Sequence, residues 1–371
     1  MSDILLREMS NSDIDWMLST GRKLDLMPDG ILFRQGSQLD HIYLLLEGNL
    51  SLRLAIAQSE GTRNALNRAF AALGGEEDAG KEVGRLSNGE VTGESALYKT
   101  SPTPLTVQAI TRSSLLALPL ATLRPKLADV GFGSRFYRMV ALMLASRIEA
   151  IAGQMGRNIG RIAADQPQLR EVLSVFGELH DSDIDWMIAA GETRVLPPGG
   201  VLIQAFRPVD ALYILIKGSL SVSVSEDEGN ALNRAFAALG ASSTTPTREI
   251  DRLAKGQMVG EMAFLEGRPS AVTIAAKEES FILTLPRQQL AAKLQLDLDF
   301  AVRFYRVLGL LLLDRFQGTI NRIGLGRRTY SGDQPLETRF EDELESEDLD
   351  QLSLAGTRFD WMVKRLLQTL S

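Results

Sequence analysis

The chain repeats itself, and no other feature constrains its fold as much. SDIDWM at residues 12–17 recurs unchanged at 182–187, and LDHIYLLLEGNLSLRLA at 39–55 matches VDALYILIKGSLSVSVS at 209–225, both 170 positions on. NALNRAFAALG at 64–74 returns at 230–240, Gly93-Glu94 is answered by Gly260-Glu261, and RFYR at 135–138 by RFYR at 303–306. So small a drift in spacing means two copies of one module of about 165 residues, differing by short changes in loops. The period is too long for a solenoid, and 371 residues are enough for two cores.

Within each copy the middle alternates apolar and polar residues with period two, most plainly in SLSVSVS, and Gly-containing turns such as LEGN and IKGS separate the runs. That pattern predicts antiparallel strands. Polar caps open short helical patterns before it, with Asp13-Ile14-Asp15-Trp16-Met17 entering the first, and strongly helical sequence follows it. The expected class is α+β and β-rich: two tandem antiparallel β-roll, jelly-roll-like domains, each flanked by N- and C-terminal helices. The expected boundaries are 1–165 and 166–327, then an acidic disordered linker over 328–354 and an amphipathic helix over 355–371 capped by Thr357.

Composition narrows the chemistry. The absence of cysteine excludes disulfides, thiolate metal sites and thiol nucleophiles, and His41 and His180 are the two histidines that could serve as ligand or base. No catalytic residue and no metal ligand is expected. A net charge of −7 gives no broad attraction to nucleic acid. The apolar run at 308–313 falls well short of the roughly 18 residues a membrane span needs. The opening MSDILLREMS predicts no signal peptide, hence a cytoplasmic location. GEEDAGKE at 75–82 copies the spacing of a phosphate loop, but its three acids and the Glu82 in place of a hydroxyl make it a solvated loop.

One stretch of each copy carries more. VGEMAFLEGRPSAVTIAA at 259–276 joins a Gly-Glu turn, a short apolar run and a Gly-Arg-Pro-Ser corner to a β-branched segment. Here Gly260, Glu261, Met262, Ala263, Phe264, Leu265, Pro269, Ala271 and Thr273 resemble the phosphate-binding cassette of the cyclic nucleotide-binding domain family, and the resemblance covers both copies. It implies an eight-stranded β-roll, a cassette whose glycine brings backbone N–H groups to a phosphate, Glu261 on a ribose hydroxyl, and cAMP or cGMP as regulatory ligand. An arginine directly after the proline would complete the site. Here Ser270 holds that place and Arg268 lies on the other side of Pro269. Losing a charge-assisted pair of that kind costs roughly 1.5–3 kcal/mol. In the first copy Gly93 and Glu94 begin the cassette, Thr103 stands at the arginine position, and Lys99 offers a charge without a fork. Nucleotide binding in the second cassette and purely structural cassettes both stay open.

Further segments point to contacts. The closing helix of the first copy places Phe136, Val140, Met143, Leu144, Ile148, Ile151, Met155, Ile159 and Ile162 on one seam, matched by Phe304, Leu308, Leu312, Phe316, Ile320 and Ile323. Packing on the barrel and homodimerisation both explain it. The insert NALNRAFAALG presents Leu66, Ala69, Phe70 and Leu73 on one helical face, either packed on the barrel or shown twice for docking. All three tryptophans lie in Asp-Trp-Met, so the terminal helix has the sequence of a module's first helix without a module. It could dock on its own chain, a neighbour or a partner, pack on the nearest surface, or meet a membrane through Arg358, Lys364 and Arg365. With no DNA-reading helix pair, the reading is a non-catalytic, cyclic-nucleotide-responsive regulatory or adaptor protein, a homo-oligomer with a protein partner. The alternative is a ligand-free scaffold using the same folds.

Overall fold

The computed structural model describes residues 3–54, 80–98, 102–155, 175–225, 247–324 and 346–368. The repeated insert, the limit expected at 165, Lys99 and the acidic stretch up to 345 lie outside them. Two compact units emerge: residues 1–154 with 312–329, and residues 155–311 with 330–371.

In the first unit α1 (Asp3–Glu8) and α2 (Asn11–Thr20) precede β1 (Arg22–Leu26), β2 (Ile31–Phe33), β3 (His41–Glu47), β4 (Leu50–Leu54), β5 (Lys81–Leu86) and β6 (Val91–Thr92). A short α3 (Ser95–Tyr98), β7 (Thr106–Ala109), β8 (Ser113–Pro119), α4 (Leu120–Leu127) and α5 (Val130–Met155) complete it. Two antiparallel sheets result, in the orders β1-β8-β3-β6 and β2-β7-β4-β5.

The second copy rebuilds the same roll. After α6 (Asp181–Ala190) come β9 (Glu192–Leu196), β10 (Val201–Ile203), β11 (Ala211–Lys217), β12 (Leu220–Ser225), β13 (Thr247–Leu253) and β14 (Met258–Val259). Then follow α7 (Glu261–Glu266), β15 (Thr273–Ala276), β16 (Ser280–Pro286), α8 (Arg287–Leu296) and α9 (Leu298–Gly324). Its sheets run β14-β11-β16-β9 and β10-β15-β12-β13, the first module's orders strand for strand. Even the irregularity within the third strand recurs, between Leu45 and Glu47 and between Leu215 and Lys217. Alternation is lost in β11, where Ala211 to Ile216 are all buried, because a strand covered on both faces no longer needs a polar side.

Two of the sequence repeats turn out to be halves of one clasp. Asp13 of the first SDIDWM receives Arg135 of the first RFYR through Nε at 2.7 Å and Nη2 at 3.0 Å. Asp183 receives Arg303 in the same bidentate way at 2.7 and 2.8 Å. Each clasp ties the module's first helix to its closing helix. Burial raises the Asp13 carboxyl, but the bonds from Arg135 and Ser10 outweigh it and hold the group below its ordinary value. The tryptophans serve the same joint. Trp16 meets Phe132 edge-on at 5.1 Å with Lys126 over the ring, and Trp186 meets Phe300 at 5.4 Å with Lys293 over the ring.

Along its described part the seam of the closing helices is buried: every side chain from Met139 to Ala145, and Phe136, Phe304, Leu308, Leu312, Phe316 and Ile320, which favours the packing explanation there, while Ile159 and Ile162 lie outside the described residues. A helix buried all round is a core helix. Residues 312–329 group with the first unit, where the sequence reading kept 166–327 together; α9 is one helix of 27 residues, about 40 Å long. Finally, the terminal helix α10 runs from Ser346 to Gln368, so residues 346–354 of the expected linker are helical. Thr357 lies inside the helix and donates to the Ser353 carbonyl at 2.7 Å, capping nothing.

Candidate functional site

Each cassette begins where the backbone must turn left-handed. Gly93 has φ +87° and Gly260 φ +90°, and a Cβ would come within 3.1 Å of the His41 carbonyl oxygen in one and 2.8 Å of the Ala211 carbonyl oxygen in the other. Only glycine fits both the angle and the space. The turn delivers Glu94 and Glu261, both buried, to the start of α3 and α7. Directly after Glu261, Met262 is half-buried and Ala263 buried.

The far end of the cassette is held by one backbone frame in both copies. Gly36 N donates to the Thr103 carbonyl at 2.9 Å, and Phe206 N to the Ser270 carbonyl at 2.7 Å. Phe206 adopts φ 62° where the first copy uses Gly36 at φ 84°. Thr106 Oγ1 accepts from Gln35 N at 2.9 Å, and Thr273 Oγ1 from Ala205 N at 3.1 Å. Thr273 therefore anchors the loop.

The side chains at the arginine position are turned to local use. Thr103 is buried and donates to the Arg34 carbonyl at 2.9 Å. Ser270 donates to the Val272 carbonyl at 3.0 Å and accepts from Val272 N at 3.2 Å, closing its own turn. Arg268 points outward with its side chain 72% exposed, its Nε 3.9 Å from Glu266. Ala271 is exposed.

The sequence reading missed an arginine from outside the cassette. Arg147, buried on α5, donates Nη1 to Glu94 Oε1 at 2.8 Å and Nη2 to the Val91 carbonyl. Its signal was present in the repeat, because Arg315 stands 168 positions on, the spacing of the two RFYR motifs. Glu94 Oε2 and Arg147 Nε are buried and accept or donate no hydrogen bond. Both residues line a cavity of about 20 Å³ together with Thr103, Phe33, Leu313 and Phe316 of the same unit. That is room for about one water molecule. Tested against a cyclic nucleotide, the first cassette offers the sugar one acceptor, the second Glu94 oxygen, but its cavity as it stands has no room for a ribose. It does not fit the cyclic phosphate, since Arg147 is committed to Glu94 and to backbone.

A second pair of arginines acts on the cassette helices from behind. Arg124 Nη2 donates to the Ala96 carbonyl at 3.3 Å. Arg287 donates to the Ala263 and Phe264 carbonyls at 3.3 and 3.2 Å, with its guanidinium over the Phe264 ring. Helix C-termini expose carbonyls that cations satisfy. Of the two histidines, His41 Nδ1 lies 2.6 Å from Asp40, and His180 N donates to Asp183 at 2.8 Å to open α6. Among the described residues no group of three or more His, Asp or Glu could hold a metal ion. No described helix is long and apolar enough to cross a membrane.

Twin rolls, each with a Gly-Glu cassette and a closing helix, define a tandem β-roll architecture. The sequence pattern of the cyclic nucleotide-binding domain matches residues 23–129 and 193–297, more than half of the chain, and the chain belongs to that family. No curated protein matches the sequence. Among solved structures, the regulatory domain of Toxoplasma gondii PKA with cAMP is 17% identical, with 80% of this chain and 89% of that chain covered and a TM-score of 0.25. The regulatory subunit of a cAMP-independent protein kinase A from Trypanosoma cruzi, bound to guanosine, is 15% identical, covering 80% and 82% with a TM-score of 0.27. A cyclic nucleotide-binding domain from Methylobacillus flagellatus is 18% identical, covering 44% and 85% with a TM-score of 0.34.

Proposed function

We propose that this chain is a non-catalytic regulatory adaptor whose output is a contact with another protein, and that its cassettes hold their shape without a cyclic phosphate. The observation that carries the reading is the fate of the arginine position. Thr103 and Ser270 both spend their hydroxyls on the module's own backbone, and Arg268 points outward with most of its side chain exposed. A cytoplasmic setting belongs to the same reading.

A second reading, cyclic-nucleotide response in the second module, is favoured by Gly260 and the buried Glu261, with Met262 and Ala263 beside them. Calorimetry separates the two. Titration with cAMP and cGMP is expected to give no saturable heat with the wild type, while Ser270→Arg creates one site per chain. Adenosine and guanosine are the uncharged probes, which separate recognition of the sugar and base from recognition of the phosphate. A stoichiometric wild-type cAMP site removed by Glu261→Ala would overturn the first reading and establish the second.

A further inference from the structure

The terminal helix α10 lies on α6 in the second unit, burying Ala355, Phe359, Met362 and Leu366 at steps of four, three and four. Phe359 packs on Phe176, which sits in the helical turn before α6, with ring centroids 5.1 Å apart. Charges border the seat. Arg358 bonds Asp181 at 2.7 Å and the Phe176 carbonyl at 3.1 Å, and Arg365 bonds Asp185 at 2.9 Å. Trp361 takes no part in the buried seam; it is exposed beneath Arg365.

The 170-residue repeat puts the same surface on the first module. Leu6 corresponds to Phe176, Ile14 to Ile184 and Leu18 to Ile188, and Asn11 and Asp15 stand for Asp181 and Asp185. Burial differs sharply. Phe176 and Ile184 are fully buried, whereas Leu6 is 67% and Leu18 50% exposed and Ile14 is half-buried. Large apolar side chains grouped on an open helix face mark an interaction site.

We propose that this face of α1 and α2, formed by Leu6, Ile14 and Leu18 and bordered by Asp15, docks an amphipathic helix of a partner protein. That helix has the chemistry of α10: apolar anchors at steps of four, three and four, and a basic residue placed to meet Asp15. The second module supplies the template, a seat with the identical SDIDWM segment and its helix in place. The described residues hold two such faces and one α10, and α10 already fills the face of the second unit with its four anchors buried. Being part of the same chain favours that seated helix over a free one, so α10 stays where it is and the first face is left for another molecule. The inference rests on the adaptor reading and names the surface through which the adaptor acts.

The test uses the full chain with α10 in place and a fluorescent synthetic peptide of residues 346–371 as probe helix. Anisotropy is expected to report one site per chain, weakened about tenfold or more by Leu6→Glu with Leu18→Glu, as for anchors at the centre of an interface. Both positions are exposed, so the variant should melt within a few degrees of the wild type. Asp185→Lys should leave peptide binding unchanged. Three outcomes would overturn the proposal: no binding up to about 100 μM peptide; binding lost in Asp185→Lys and kept in the Leu6 variant, which would mean exchange into α10's own seat; or wild-type dimers dispersed by the Leu6 variant, which would make a second copy the occupant. Titrations with cAMP are independent of this face, so the nucleotide readings stand or fall separately.

Discussion

In the first module the cassette carboxylate Glu94 is held by Arg147 from the closing helix, and the corner residue Thr103 is buried. In the second, the corner residue Ser270 is only half-buried, Arg268 reaches into solvent, and Arg287 clamps the far end of the cassette helix. Beneath these differences the backbone frame is the same: the left-handed glycine, the loop N–H on the corner carbonyl, the anchoring threonine. The comparison teaches that this loop is fixed by main-chain bonds. Its side chains can be reassigned from ligand binding to internal bonding without disturbing the roll, so fold and ligand separate.

The largest effect should come from breaking the first module's solution. Arg147→Met would leave Glu94 buried without its partner, which costs about 3–5 kcal/mol. Urea unfolding should show the lost stability, and adding Glu94→Gln should restore most of it, because removing both charges removes the penalty. If the single variant were as stable as the wild type, the Glu94–Arg147 pair would not be what holds the first cassette.

Much of this was legible in the sequence. Period-two alternation, the Gly-Glu turns and the repeat gave the rolls, their order and the two cassettes, because strand and turn signals are local. What escaped reading were pairings across distance. SDIDWM and RFYR were visible as repeats, but nothing in either says that Asp13 meets Arg135 across 122 positions. Arg147 hid in an apolar seam for the same reason. The seam left packing on the barrel and dimerisation both open, because periodicity shows that a face is buried and never against what. The extra turns of α10 lay in an acidic stretch that composition assigned to a linker.

The two clasps allow a smaller and sharper comparison. The Asp183–Arg303 pair is the more enclosed, with the arginine side chain 21% exposed against 40% for Arg135. Charged hydrogen bonds of this kind contribute about 1.5–3 kcal/mol each, less where solvent screens them. Asp183→Asn is therefore expected to lower stability more than Asp13→Asn, as read by shifts in urea midpoint. The first clasp should also respond to acid. Folding depresses the Asp13 carboxyl below its ordinary 3.8, so its contribution is fully present above that value and is lost below it, as pH falls through the depressed folded-state value. Equal shifts in the two variants would mean that enclosure does not set the strength of the clasp.

The smallest expected difference lies between two residues of identical local sequence. Asp15 and Asp185 both stand in Ser-Asp-Ile-Asp-Trp-Met and both are exposed, but Asp185 receives Arg365 at 2.9 Å, with the two side chains about half exposed. A pair so open to water contributes no more than about 1 kcal/mol and is screened by salt. Asp185→Asn should therefore quicken hydrogen exchange of the α10 amides by about fivefold at most in low salt, and by less at 1 M salt, where the Debye length is about 3 Å. Asp15→Asn should leave those amides unchanged, since α10 belongs to the other unit's seat. The apolar anchors predict why the effect is small: Phe359, Met362 and Leu366 are buried and keep the helix seated when the rim pair is cut. Should Asp185→Asn release α10 altogether, the seat would be held by charge and not by its apolar seam, and the uncharged half of its counterpart on the first module would not suffice to dock anything.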